Sequence, residues 1–330
     1  MEIDFVVSWV DMEDPKWIKD FSKFSGKIDN TKNEVSEARF RDYGFLKYWF
    51  RGVDKFAPWV RKIHFVTCGQ KPEWLDENHP KINLVNHSDY IPNKYLPIFN
   101  SSLIEIHLHR IPDLAEHFVY FNDDFYITNT LKPERFFKNG LPNDIAAFRH
   151  NLGLSLWNKC LKNNIRVINS KFDKKEVLKR DAKKWYHPSY GSRGRLAKLL
   201  KWYPKFITLR TPHNAQPYLK ETFKEVWDYA GDELWEVSKN RFRNKRDFTQ
   251  ELFRTWQICR SNFVPYNTYK DTKMFPLLIK SKQAIEAVKN QSYTLVCLND
   301  NSNVRNYEQV IKDLDNSFKT ILPEKSSFEK

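Results

Sequence analysis

The residues best suited to chemistry lie at the ends of apolar runs. Phe118-Val119-Tyr120-Phe121 is too short for a helix and rich in strand formers, and it gives way at once to Asn122-Asp123-Asp124. Open α/β sheets bind ligands beyond the carboxyl ends of their strands, so two adjacent carboxylates there suit a divalent cation held against phosphate oxygens. The same three letters also make a good turn. Asp11 and Asp14 follow a second apolar run, residues 3–10, and Asn299-Asp300-Asn301 follow a third, residues 293–298. Asp14 precedes Pro15, which makes a turn or a helix cap its other reading. Ser102 with Glu105 three residues on reads as a capping box, opening a helix through Ile104, His107, Leu108 and Ile111. His213 falls on a loop at a helix entry, open to a functional role or to that of an ordinary polar residue.

Arg39, Arg41 and Asp42 stand in the first turns of a helix predicted over residues 36–56; such a place suits a phosphate-binding arginine or a solvated charged face. Arg241, Arg243 and Arg246 precede another helix carrying Leu252 and Trp256. The elements that must position these groups alternate. Residues 3–10 form a strand buried on both faces, 63–67 and 82–85 further strands, and helices lie between, which predicts parallel pairing through right-handed crossovers. Residues 22–33 read as a loop, 133–142 as a hairpin or short helix, and 145–148 as a strand. A helical pattern runs through Leu219, Phe223, Val226 and Trp227, a late helix carries Tyr307, Val310, Ile311 and Leu314, and residues 323–330 are expected to fray. The division by composition is an α/β core over 1–150, a basic and aromatic helical insertion over 151–205, and a remainder over 206–330.

Composition narrows the field. With 41% hydrophobic and 15% aromatic residues the chain is globular, and its formal charge of +14 implies an anionic partner: nucleotide-sugar, phosphorylated glycan, acidic membrane face or nucleic acid. No zinc-finger, RNP or basic-zipper motif is present, so nucleic acid is set aside. No apolar run is long enough to cross a bilayer and no leader is evident, which makes a cytoplasmic protein the expectation. Cys68, Cys160, Cys259 and Cys297 are scattered and read as core thiols. The tract over 171–205 interleaves Lys and Arg with Trp185, Tyr186, Tyr190, Trp202 and Tyr203; it can grip a glycan, rest on a membrane face, or be a solvated helix surface.

Four blocks, in order, resemble the Stealth family of phosphotransferases: IDFVVSWVDMEDPKW; RFRDYGFLKYWFRGVDKFAPWVRKIHFVTCGQKPEWL with LPIFNSSLIEIHLHRIPDLAEHFVYFNDDFYI; TPHNAQPYLKETF to NRFRNKRDFTQELF; and LVCLNDNSN. The family includes bacterial capsular polysaccharide enzymes and the animal N-acetylglucosamine-1-phosphotransferase. Met12 stands where many members have Gly. The resemblance implies a nucleotide-sugar transferase fold of the GT-A kind, with a mostly parallel sheet and a helical elaboration after the core. It also implies transfer of a hexose or N-acetylhexosamine 1-phosphate from a UDP-sugar to a hydroxyl of an oligosaccharide, polysaccharide or lipid-linked glycan. UMP is then released.

Carried over by position, the sensitive residues are Ser101, Glu105, Asp123, Asp124, His213 and Arg243, with Asp11 and Asp14 matching the first block. On that basis Asp123 and Asp124 are expected to hold Mg²⁺ or Mn²⁺, Arg243 the transferred phosphoryl group, and His213 the acceptor's proton, unless it binds phosphate or metal instead. Asp11, Asp14, Arg41, Ser101, Glu105 and Asn299 complete the expected substrate contacts. The competing expectation is a metal-dependent glycosyltransferase of the same fold that releases UDP.

Overall fold

A computed structural model describes residues 1–26, 43–151, 153–300, 304 and 306–330. Arg39, Arg41, Asp42 and Asn301 lie outside the described residues. In chain order the main elements are β1 (Ile3–Ser8), α1 (Pro15–Ser25), α2 (Leu46–Phe56), β2 (Ile63–Thr67), β3 (Ile82–Asn86), α3 (Ser101–Glu105), β4 (His117–Phe121), β5 (Phe125–Ile127), β6 (Phe137–Lys138) and β7 (Leu141–Asp144). Then come α4 (Leu156–Lys171), α5 (Lys174–Arg180), α6 (Ala182–Trp185), α7 (Arg195–Leu199), β8 (Gln216–Leu219), α8 (Lys220–Val237), α9 (Glu251–Cys259), β9 (Val264–Pro265), β10 (Thr272–Pro276), α10 (Leu277–Lys289), β11 (Leu295–Asn299) and α11 (Tyr307–Ile321).

The main sheet has the order β3-β2-β1-β4-β8, parallel throughout except for β8, which runs antiparallel to β4. Its strands are apolar on both faces because both faces are covered. Val6, Val66, Phe118 and Tyr120 point into one core, while Phe5, Val7, Phe65, Val119 and Phe121 point into the other. A second sheet, β10-β11-β5, packs under α2, where Gly52 is required: a Cβ there would stand 2.6 Å from the Ile127 carbonyl oxygen. The predicted α/β class with a mostly parallel sheet is the observed one.

Several local expectations fail for identifiable reasons. Of the loop expected over 22–33, the part from Ser22 to Ser25 continues α1, a helix capped by Asp14 and opened by Pro15, and 27–33 lie outside the described residues. The strand expected at 145–148 lies one step earlier, at Leu141–Asp144, with only a bridge from Phe148 to Leu209. Residues 216–219 form β8 ahead of α8, a short strand masked by the helical periodicity that follows it. The C-terminus does not fray. Phe328 is buried between Phe50 and His79, Glu329 pairs with Arg51 at 2.7 Å, and the Lys330 amide bonds the Trp74 carbonyl.

The first 150 residues and the last 125 do not form separate sheets. β8 completes the sheet of β1 and β4, and β11 pairs with β5, so the candidate residues on either side of the basic insertion meet at one sheet edge.

Candidate active site

In the order β3-β2-β1-β4 the chain reverses direction of winding between β1 and β4, which makes the carboxyl ends of those two strands the crevice where such sheets take ligands. Across it the Ser8 and Tyr120 hydroxyls bond at 2.8 Å, and Tyr120 donates onward to Glu105 at 3.3 Å. β8 is antiparallel to β4, so its beginning lies at the end of β4: Tyr120 pairs with Gln216, and His213 stands three residues before Gln216. The His213 Nε2 is 3.4 Å from Asp124 Oδ2. β11 runs antiparallel to β5, so its end also arrives here. The Leu298 amide bonds the Asp124 carbonyl at 2.9 Å, leaving Asn299, exposed, at the same edge.

Arg243 arrives from another direction. Its Nη2 donates to Ser101 Oγ at 3.3 Å, and the two are held together by a buried polar hinge that sequence reasoning missed. Asn100 caps α3 through its side-chain oxygen and donates through its amide to Asp247 at 2.8 Å, while Asp247 also binds the Asn244 amide and the Asn240 side chain. Only the i+3 spacing of Asn244 and Asp247 hinted at this turn. The capping box expected at Ser102 is absent. The helix is five residues long, Asn100 is its cap, and Glu105 turns into the core instead of back to the helix start. A helix that short has no dipole to speak of, so Ser101 acts through its hydroxyl.

Burial pushes the Glu105 carboxyl up to about 7, against the opposing charge of Arg243 and hydrogen bonds from Tyr120 and Ser101. Burial alone would lower His213, but its hydrogen bond to Asp124 and the charges of Asp124, Glu251 and Glu105 raise it instead. Arg243 thus acts on Glu105, and Glu105 on His213, which ties the two halves of the site into one electrostatic neighbourhood. His213 is held at φ 43°, in the left-handed region seldom occupied by non-glycine residues, as strained functional residues often are.

Cys297, read as a core thiol, is fully buried but aims its Sγ at Asp124 Oδ2, 3.1 Å away. Burial and the neighbouring carboxylates push this thiol well above its ordinary range, so it stays protonated and donates. The other Asp124 oxygen, Oδ1, is buried with no hydrogen-bond partner. An orphaned carboxylate oxygen of that kind fits a hard divalent cation, and Asp123 beside it is exposed at the same edge. Asn214, next to His213, also has a buried and unpaired Nδ2 donor.

Two of the expected substrate contacts have local duties. Asp14 Oδ1 accepts from the Trp17 amide at 2.6 Å as the cap of α1. Asp11 Oδ1 accepts from the Glu13 amide, while its backbone makes two bonds to the Gln70 side chain. For Asp14 this is the cap reading, realised beside the crevice.

Residues 39–144 match the sequence profile described as "Stealth protein CR2, conserved region 2", which takes in Ser101, Glu105, Asp123 and Asp124. A capsular polysaccharide phosphotransferase, WcwK, of Streptococcus pneumoniae is 39% identical over 100% of this chain and 98% of its own. The chain belongs to the Stealth family. Among its other relatives are the receptor polysaccharide phosphotransferase WefC of Streptococcus oralis, 38% identical over 99% of each chain, and the exopolysaccharide phosphotransferase cps2G of Lactiplantibacillus plantarum, 36% identical over 100% of this chain and 96% of that one. This Stealth protein is therefore a phosphotransferase, and its match to those relatives extends through the region of His213 and Arg243. Among solved structures, mouse xyloside xylosyltransferase 1 in its apo form aligns over 92% of this chain and 99% of that one with 8% identity and a TM-score of 0.36, too slight a likeness to build on. Among the described residues of this Stealth chain, no helix is long and apolar enough to cross a membrane.

Proposed function

We propose that the protein transfers a sugar 1-phosphate, of a hexose or an N-acetylhexosamine, from a UDP-sugar to a glycan hydroxyl. The product is a phosphodiester in a capsular or other surface polysaccharide. The setting is cytoplasmic, the acceptor an oligosaccharide, polysaccharide or lipid-linked glycan, and the core of the GT-A kind. The observation that carries this reading is the convergence of Asp124 with His213 and of Arg243 with Ser101 at the β1/β4 crevice, with Glu105 coupled to both.

The acceptor oxygen attacks the phosphorus that bears the sugar. A new O–P bond forms as the bond from that phosphorus to the bridging oxygen breaks, and UMP departs with that oxygen. The bond from the anomeric carbon to its own oxygen is untouched, so anomeric configuration is retained. Arg243 presents its planar fork to the transferred phosphoryl oxygens, with the Ser101 hydroxyl beside it. His213, oriented and made more basic by Asp124, takes the acceptor proton; Glu105, poised near neutrality, is the second group able to do so. Asp124 and Asp123 would hold Mg²⁺ or Mn²⁺, which neutralises charge on a diphosphate. Asp11, Asp14, Arg41 and Asn299 complete the proposed donor contacts.

Incubation with a panel of UDP-sugars and a glycan acceptor tests the reading. Release of UMP with sugar and phosphate both in the product supports it. Release of UDP with sugar alone transferred replaces it with a metal-dependent glycosyltransferase, which would use the same acids but break the bond at carbon.

A further inference from the structure

The basic tract contains both buried and displayed aromatics. Trp185 and Tyr190 are fully buried, as expected of a helical insertion with its own core. The end of α7 and the turn that follows it do the reverse. Leu199 is 76% exposed, Trp202 79% and Tyr203 49%, three large apolar side chains within five positions. Exposed Lys198, Lys201, Pro204 and Lys205 stand among them. No Asp or Glu occurs between Asp181 and Glu221, so nothing in the local sequence offsets the positive charge. Scattered exposed hydrophobics need no explanation, but a cluster ringed by one sign of charge marks an interaction surface.

The turn is also held in place. Lys174 is buried, and its ammonium group donates to the carbonyls of Leu200 at 2.6 Å and Tyr203 at 2.7 Å. Asn169 then clamps Phe206 by two bonds, accepting from its amide at 2.7 Å and donating to its carbonyl at 3.0 Å. The Phe206 side chain is buried against Trp185 and Phe148. The fold therefore fixes the backbone of this turn from inside while leaving its apolar side chains in water.

We propose that the 198–205 turn is a membrane-docking element that inserts Trp202 and Leu199 into the interfacial layer of an anionic bilayer, with Lys198, Lys201 and Lys205 on the headgroups. Indole and phenol rings favour the headgroup level, long Lys stems reach outward to phosphate, and each basic residue near an anionic surface multiplies partitioning by roughly five-fold. A purely electrostatic surface has no use for an exposed Trp and Leu among its lysines. Lys205 precedes His213 by eight residues, which even fully extended reach at most about 29 Å. A docked molecule thus keeps its reaction crevice close to the membrane surface, within reach of a lipid-linked acceptor. The docking stands apart from the proposed phosphotransfer, and either can fail alone.

The test is co-sedimentation of the full chain with vesicles of phosphatidylcholine alone and of phosphatidylcholine with phosphatidylglycerol, at low and high salt. The expected result is binding to the anionic vesicles only, weakened by salt. It should fall on the order of a hundred-fold in K198S/K201S/K205S and at least ten-fold in L199S/W202S, with UMP release on a soluble acceptor unchanged in both. Failure of the wild type to sediment at low salt overturns the proposal, as does equal sedimentation of both variants. Retention on an acidic polysaccharide without vesicle binding would assign the turn to a glycan instead and overturn it too.

Discussion

Two clusters of charged side chains, one around Arg254 and one around Asp124, are built on opposite plans. Around Arg254 everything is paired. Its guanidinium reaches Asp144 at 2.7 and 2.8 Å, Glu251 at 2.9 Å, and the carbonyls of Arg210 and Ile145 at 2.9 and 3.0 Å, while Asp144 also takes the Gln216 side chain and the Ile145 amide. Around Asp124 the side-chain bonds are few, and its Oδ2 takes the Cys297 thiol at 3.1 Å. His213 stands at 3.4 Å and Arg243 meets Ser101 at 3.3 Å, and Asp124 Oδ1 has no partner among the described residues. A buried carboxylate oxygen left without a partner is costly, so a fold keeps one only where something else completes it. The saturated cluster is scaffold, since Arg254 pins the Arg210 carbonyl and with it the approach to His213. The unsaturated cluster is the one the proposed function gives to the substrate.

The sharpest way to break this contrast is to remove one charge from each cluster. Asp124→Asn should lower UMP release by about a thousand-fold or more, the scale set by loss of a group that stabilises developing charge, while the melting temperature holds or rises. Substantial activity in that variant would remove Asp124 from the chemistry. Arg254→Met should do the opposite to stability, costing about 3–5 kcal/mol in denaturant unfolding, because Asp144 and Glu251 are left buried without their counter-charge. A variant as stable as the wild type would show that the cluster is not the anchor its bonding suggests.

Glu105→Gln tests both properties in one residue. A carboxyl whose folded-state value is about 7 against an ordinary 4.5 keeps its proton in the folded chain while the unfolded chain gives it up. Stability linked to it is therefore full below about pH 4.5, falls as pH rises towards 7, and stays lost above, on the order of 3 kcal/mol in all. The glutamine variant should flatten that decline and melt higher than the wild type at pH 8, yet transfer at least about ten-fold more slowly. Equal melting temperatures at pH 8 would mean that Glu105 is comfortably ionised in the fold.

The same contrast explains how far the sequence could be read. Strands β1, β2 and β4 were legible because burial on both faces leaves continuous apolar runs, and Asp123-Asp124 because the run stops so abruptly. β8 was not, since four residues carry too little periodicity against the long helix behind them. The docked tail was missed because its partners, Phe50, Arg51 and Asp54 on α2 and Trp74 and His79 beyond it, lie far away in sequence where no local pattern reveals them. Glu105 was legible as a residue but not in its role: i+3 spacing from Ser102 suggested a cap, and only the tertiary approach of Tyr120 and Arg243 makes it a buried acid. Asn100, Asp247 and Cys297 are site-builders through contacts across more than a hundred residues, beyond the reach of spacing arguments.

Cys297 offers the mildest test of the contrast. If Asp124 is kept under-bonded so that it can serve a substrate or a cation, its one buried donor from β11 should orient the carboxylate without saturating it. Cys297→Ala removes that donor and leaves a small void, and should slow turnover roughly ten-fold, as expected for one hydrogen bond to a charged group, with little change in the KM for the donor. Cys297→Ser keeps a donor on the same carbon and should recover most of the rate. A packing role predicts a different order, with alanine and serine alike in kcat and the loss appearing in thermal stability instead. Rescue by serine therefore separates a thiol that aims Asp124 from one that merely fills the space beneath it.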